Sequence, residues 1–230
     1  MKAEEKNRKT ADFEKAIEAA KNVAGNEAKV ARLMFKYALF LDPTPMPAEK
    51  KVFENYEGAL NIYKSLAVDE PKYIPFVGRI SETLGFFYEN CDRDEEAKEM
   101  YQLSLYARRY LHSKNELKYV HDYAYLLYSV AFFFDKLSKP DLTNYCFQLG
   151  IKILTHALDI KACERNKNLL LTLNNSLSQF YVINGRFSDA IEQYELSLKI
   201  IDELITDYGN KYLEEKARCL KEIRRLCPTK

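Results

Sequence analysis

One arrangement of residues occurs twice in this chain at the same internal offsets. Leu84-Gly85, Tyr88, Ala97, Tyr101 and Ser104-Leu105 are matched by Leu177-Ser178, Tyr181, Ala190, Tyr194 and Ser197-Leu198. A fixed order of small and aromatic residues, repeated along helical segments, restricts the fold to stacked helical hairpins. Each such hairpin buries its apolar face only against the next one.

Apolar periodicity of the helical kind runs through almost the whole sequence. Phe13, Ile17, Ala20 and Ala24 predict a first helix, stopped by Gly25-Asn26. Val30, Leu33, Met34, Tyr37 and Leu41 predict a second, ended at Asp42-Pro43-Thr44-Pro45-Met46-Pro47, where three prolines cannot continue the hydrogen-bond ladder. Val52, Tyr56, Ala59, Leu60, Tyr63 and Leu66 form a third, closed by Pro71. Further helices follow around residues 76–88, 95–111, 117–137, 142–158, 169–183 and 187–205. A last amphipathic helix runs through Leu213, Ala217, Leu220 and Ile223. Glycine and proline are scarce, seven each, which favours long helices and short turns. The expected fold is all-α, with about ten helices and no strand.

The second helix of each pair carries a common signature. It reads Phe13-x-x-Ala16-x-x-x-Ala20, Tyr56-x-x-Ala59-x-x-x-Tyr63, Asp94-x-x-Ala97-x-x-x-Tyr101, Pro140-x-x-Thr143-x-x-x-Phe147 and Phe187-x-x-Ala190-x-x-x-Tyr194. A small residue lets two helices approach, and an aromatic one turn later fills the gap to the next hairpin. These residues resemble the tetratricopeptide repeat (TPR), with Gly185-Arg186-Phe187-Ser188-Asp189-Ala190-Ile191-Glu192-Gln193-Tyr194 as the best copy. Successive small residues stand 43, 38, 46 and 47 positions apart, longer than the family's usual period of about 34. A long-period variant is therefore expected. The unit around Pro140 and Thr143 departs most, lacking both the turn glycine and the alanine. The resemblance implies a single domain over 1–230, built as a right-handed superhelical solenoid of antiparallel hairpins. Its parts are a half-repeat at about 10–25, hairpins at about 26–70, 73–112, 114–160 and 162–208, and a capping helix at about 210–226.

In such a solenoid the first helices line a concave groove that holds a segment of another protein. The alignment places Arg79, Glu82 and Phe86 on that groove in one repeat, Tyr125, Tyr128 and Phe132 in the next, and Thr172, Asn175 and Gln179 in the last. The family's grip on a peptide carboxylate uses lysine and asparagine at such places. Glu82 and Tyr128 stand there instead, so that device is absent. An aromatic floor favours an apolar or amphipathic peptide, with Asn175 and Gln179 bonding its backbone. The competing reading has the rings packed against neighbouring helices, or the C-terminal helix folded into the groove.

The expected function is a non-catalytic adaptor for a protein partner. Lys plus Arg (35) nearly cancels Asp plus Glu (34), which argues against nucleic acid as a general partner. A basic stretch, Lys216, Arg218, Lys221, Arg224, Arg225 and Lys230, keeps nucleic-acid contact as an alternative, beside self-association through an exposed terminal repeat. It also suits the C-terminal end of a helix dipole. Cys91, Cys146, Cys163, Cys219 and Cys227 are odd in number, without a CxxC, as in small buried groups of a cytoplasmic protein. His112, His121 and His156 are scattered, with no metal-ligand spacing, and no glycine loop for phosphate is present. No cofactor and no metal are expected. Asn174-Asn175-Ser176 spells a glycosylation sequon inside a predicted helix. Residues 1–10 lack an apolar signal core, and no apolar run is long enough to span a bilayer.

Overall fold

The computed structural model describes residues 3–41 and 50–227. The predicted proline stop, Asp42 to Pro47, lies outside them. Among the described residues there are ten α-helices, two single-turn 3-10 segments and no strand. The helices are α1 (Ala3–Lys21), α2 (Glu27–Leu41), α3 (Lys50–Asp69), α4 (Ile74–Asn90) and α5 (Asp94–Lys114). They continue as α6 (Glu116–Lys136), α7 (Pro140–Ile160), α8 (Glu164–Ile183), α9 (Phe187–Tyr208) and α10 (Leu213–Leu226). No helix of the described residues is long and apolar enough to cross a membrane.

The chain divides into two compact units between Leu111 and His112, inside the last turn of α5. In the first unit α1 packs on α2, α2 on α3 and α3 on α4. Helices α4 and α5 close on each other where Gly85 faces Tyr101. A Cβ added at Gly85 would stand 2.9 Å from two ring carbons of Tyr101, so the approach depends on the missing side chain. The buried Ser104 hydroxyl donates to the Gly78 carbonyl at 2.8 Å in the same interface. In the second unit α6 packs on α7, α7 on α8, α8 on α9 and α9 on α10. Gly150 of α7 allows a close approach to α8, where a Cβ added to it would stand 3.2 Å from Leu173.

The signature of the second helices lies in the core. Ala59, Ala97, Thr143 and Ala190 are fully buried, and so, to within a few per cent, are Tyr63, Tyr101, Phe147 and Tyr194. First-helix tyrosines reach to a polar side chain on the preceding second helix. Tyr37 donates to Glu14 at 2.9 Å, Tyr88 to Glu57, and Tyr181 to Asn144 at 2.8 Å. In α6 the equivalent residue is Phe134, which has no hydroxyl to donate.

The three hairpin turns after α4, α6 and α8 share one geometry. Each has a residue in the left-handed region: Asp92 (φ 54°), Ser138 (φ 54°) and Gly185 (φ 70°). The next residue closes each turn with a backbone bond, Arg93 to Tyr88, Lys139 to Phe134 and Arg186 to Tyr181, at 2.8–2.9 Å. Arg93 and Arg186 then lie over those tyrosine rings, at 4.5 and 4.2 Å from the centroids. The unit whose sequence departs most from the pattern thus keeps its turn, through a serine in place of the glycine.

Candidate partner-binding faces

The first unit presents one face of α4. Arg79 is exposed and its guanidinium lies 5.5 Å from the centre of the Phe35 ring of α2. Phe86 is 54% exposed. Glu82 is turned inward instead, accepting from Arg108 of α5 at 3.0 Å. It forms an internal ion pair rather than a contact for a partner. Between α2 and α4 lies a pocket of about 370 Å³, lined by Arg32, Phe35, Lys36, Leu39, Phe76 and Arg79 among others.

In the second unit α6 carries a row of rings. Tyr125 is 49% and Phe132 45% exposed, and Tyr128 between them is half-buried. Tyr125 and Tyr128 have centroids 6.2 Å apart, Tyr128 and Phe132 5.0 Å in an edge-on contact. Both Tyr128 and Phe132 rest on Phe147 of α7, at 6.4 and 5.6 Å. Edge-on contacts of this kind fix ring orientation while leaving the outer faces open. The row therefore does both things the sequence left open: it packs on a neighbouring helix and it meets solvent.

The α8 residues have a different surrounding. Thr172 donates to the Asn168 carbonyl of its own helix at 2.9 Å, and Gln179 is exposed. Asn175 is engaged at both ends by α10: its amide donates to Glu215 at 2.8 Å, and its carbonyl oxygen lies 3.6 Å from the Cys219 sulfur. α10 thus docks on the same face of α8 and engages Asn175 within the unit. A cleft of about 820 Å³ remains between α8 and α10, reached by Thr172, Asn175, Gln179, Arg218 and Glu222. Beneath it, Leu171, Tyr194, Ile201, Leu204 and Cys219 form an apolar cluster.

Three cations of the basic C-terminal stretch have partners. Lys216 pairs with Asp202, Arg218 with Glu215 at 3.2 Å and Arg225 with Glu222 at 2.7 Å. Their charge is largely answered within the unit.

Sequence spacing missed one cluster. The fold brings Glu116 to 3.9 Å from His112 Nε2 and 3.5 Å from His156 Nε2. Burial holds the His112 imidazole below its usual pKa, against the pull of Glu116. Glu116 lies four residues after His112, but across a helix break, and His156 arrives from α7, so helical spacing could not show the trio. Among the described residues no group of three or more His, Cys, Asp or Glu could hold a metal ion. Of the cysteines, Cys146 and Cys219 are buried, Cys91 and Cys163 partly so, and Cys227 is exposed. Burial pushes the Cys146 thiol up to about 12 and the Cys219 thiol up to about 11, far from a reactive thiolate. Asn174 is buried at 2% exposure, which closes the sequon to glycosylation in the folded chain.

No protein-family model matches the sequence. No curated protein matches it either. Solved structures do. BtubC (BKLC) from P. vanneervenii is 17% identical, with a TM-score of 0.65 over 98% of this chain and 84% of that one. A variant of a Podosopora anserina putative kinesin light chain with nearly identical TPR-like repeats is 13% identical, with a TM-score of 0.49, covering 87% and 82%. TTC0263, a thermophilic TPR protein in Thermus thermophilus, is 18% identical, with a TM-score of 0.37, covering 95% and 90%. At such identities only the fold is shared, and BtubC carries the comparison. That likeness and the recurring small-residue and aromatic contacts together give this chain the all-α, hairpin-repeat fold of TPR-like proteins.

Proposed function

We propose that this protein is a non-catalytic, cytoplasmic adaptor that holds a segment of another protein against the α6 face of the second unit. The observation that carries the reading is the row Tyr125, Tyr128 and Phe132. Two of its rings stand about half in solvent, although each is held in place by a neighbour. Rigid aromatic side chains lose little conformational freedom on binding and supply large contact area, which is why they dominate binding hot spots. Gln179 and Thr172 of α8 line the separate cleft beside α10, which takes up Asn175. On the first unit, Arg79 and Phe86 offer a separate contact.

The test is affinity capture from the native cell with the tagged full chain and the double variant Tyr128→Ala/Phe132→Ala. Capture by the wild-type chain that disappears in the variant, with helicity by circular dichroism unchanged, supports the reading. Undiminished capture by the variant rejects it.

A further inference from the structure

We infer that a pocket between α7, α8 and α9 in the second unit binds a small aliphatic amino acid, a zwitterion with an apolar body. The pocket holds about 310 Å³. Its walls come from the second helices α7 and α9 and its floor from α8, so it is a different surface from the first-helix faces described above. The floor consists of buried residues, Lys167, Leu170 and Asn174. Asn174 is 2% exposed, and its Oδ1 has no hydrogen-bond partner. Protein interiors satisfy nearly all such groups, so an unmet one beside a hollow points to a partner that enters the hollow. By turning about its last torsion, the carboxamide can offer the pocket either that acceptor or its N–H donors.

The charges around the pocket are of both signs. Lys199 and Glu203 lie four residues apart on α9, where they would ordinarily pair. Lys167 takes Glu203 instead, at 2.8 Å, together with Asp207 at 2.9 Å. The Lys167 charge is thereby answered, and it calls for no further anion. Lys199 of α9 and Asp159 of α7 also line the pocket, and among the described residues neither has a hydrogen-bond or ion-pair partner. A simple anion would meet the carboxylates of Asp159 and Glu203, and a simple cation would leave Lys199 open. A zwitterion satisfies both, its ammonium at Asp159 and Glu203 and its carboxylate accepting from Lys199 and the Asn174 amide. Leu158, Leu170 and Ile200 supply apolar surface for the carbon chain between these ends. No aromatic residue is among the lining groups, and the volume is at the small end of ligand pockets, which favours a short aliphatic body. The inference goes beyond the adaptor reading and shares no residue with the α6 row.

The experiment titrates the full chain with leucine and with ε-aminocaproate by isothermal calorimetry, beside caproate and pentylamine, which each lack one charge. At least one of the two amino acids should bind, with a dissociation constant on the order of 0.1 mM for a ligand of that size. Caproate and pentylamine should bind at least about tenfold more weakly. The rim variants Lys199→Gln and Asp159→Asn, both at exposed positions, should each weaken the bound amino acid about tenfold. Asn174→Leu removes the buried carboxamide and should abolish binding, with a thermal melt to check that it folds. Should it fail to fold, the two rim variants decide. Tyr128→Ala/Phe132→Ala should bind the amino acid unchanged, so failure of the α6 reading leaves this one standing. No binding of either amino acid, equal binding of caproate or pentylamine, or undiminished binding by Lys199→Gln would overturn the inference.

Discussion

A methyl group at position 85 would collide with the root of the Tyr101 ring, at 2.9 Å from Cδ1 and Cε1 and 3.1 Å from Cγ. Tyr101 cannot retreat, because it is buried and its hydroxyl donates to Glu89 at 2.7 Å. Gly85→Ala gains about 1 kcal/mol in helix propensity but meets an overpacking cost of about 1–3 kcal/mol. Steric cost wins at this site, and a net loss of about 1 kcal/mol, the middle of the resulting range of about 0–2, is expected. Gly58 is the control: the atom in its way is the terminal methyl of Met34, which can swing aside, on a residue only partly buried. Gly58→Ala should be neutral or slightly stabilising. Urea unfolding of both variants decides it, and an equal effect at the two positions would refute the argument. Both glycines lie inside helices, where sequence alone marks them as weak points. The Leu-Gly pair of the repeat pattern separated Gly85 from Gly58, because the pattern assigns that place to close contact.

At the scale of the element, the ten helices were legible because each keeps an apolar stripe of helical period and ends at Gly, Pro or a short polar run. The first helix begins earlier than its apolar stripe suggested, since residues 3–12 are mostly charged or polar and add nothing to a core signal. The turns were less legible. Gly185 announced itself, but Asp92 and Ser138 adopt the same left-handed conformation without a glycine. What holds them is the backbone bond of the following residue, at 2.9 Å in both turns, which no residue type betrays. A non-glycine residue in that region is strained, and serine is a poorer tenant than aspartate. Ser138→Gly should therefore stabilise the chain by about 0.5 kcal/mol, the strain relieved exceeding the added freedom of the unfolded chain. Gly185→Ala should destabilise by about 1 kcal/mol for the converse reason. Thermal melts of the two variants should move in opposite directions, and a fall in melting temperature for Ser138→Gly would show that the serine is held by something other than strain.

Over the whole chain, which residues face a partner was harder to read than which residues form the core. The pattern placed Tyr125, Tyr128 and Phe132 on one face of α6, where side chains of that size are visible in any helical projection. It could not show that α10 takes Asn175, because that contact joins residues 40 positions apart. It also passed over Arg32 and Lys36, since surface cations are common and the pocket they share with Arg79 appears only in three dimensions. The C-terminal helix is where these limits have a measurable consequence. Only Cys219 of α10 is fully buried, with Tyr212, Ile223 and Leu226 packed partly against the cluster of Leu171, Tyr194, Ile201 and Leu204. Ion pairs from Lys211 to Glu164 and Lys216 to Asp202 lie at the surface and add little. Ending the chain after Tyr208 removes those partly buried groups, for a loss on the order of 3 kcal/mol. The larger effect is on solubility, because the truncation uncovers an apolar face that a terminal repeat normally caps. The shortened chain should melt earlier and self-associate in sedimentation velocity as its concentration rises. Restoring the cluster's cover with a separate peptide of residues 210–227 should reverse the association. If the truncated chain stays monomeric with an unchanged melting temperature, α10 is an appendage, and the apolar cluster beneath it is stable without a cap.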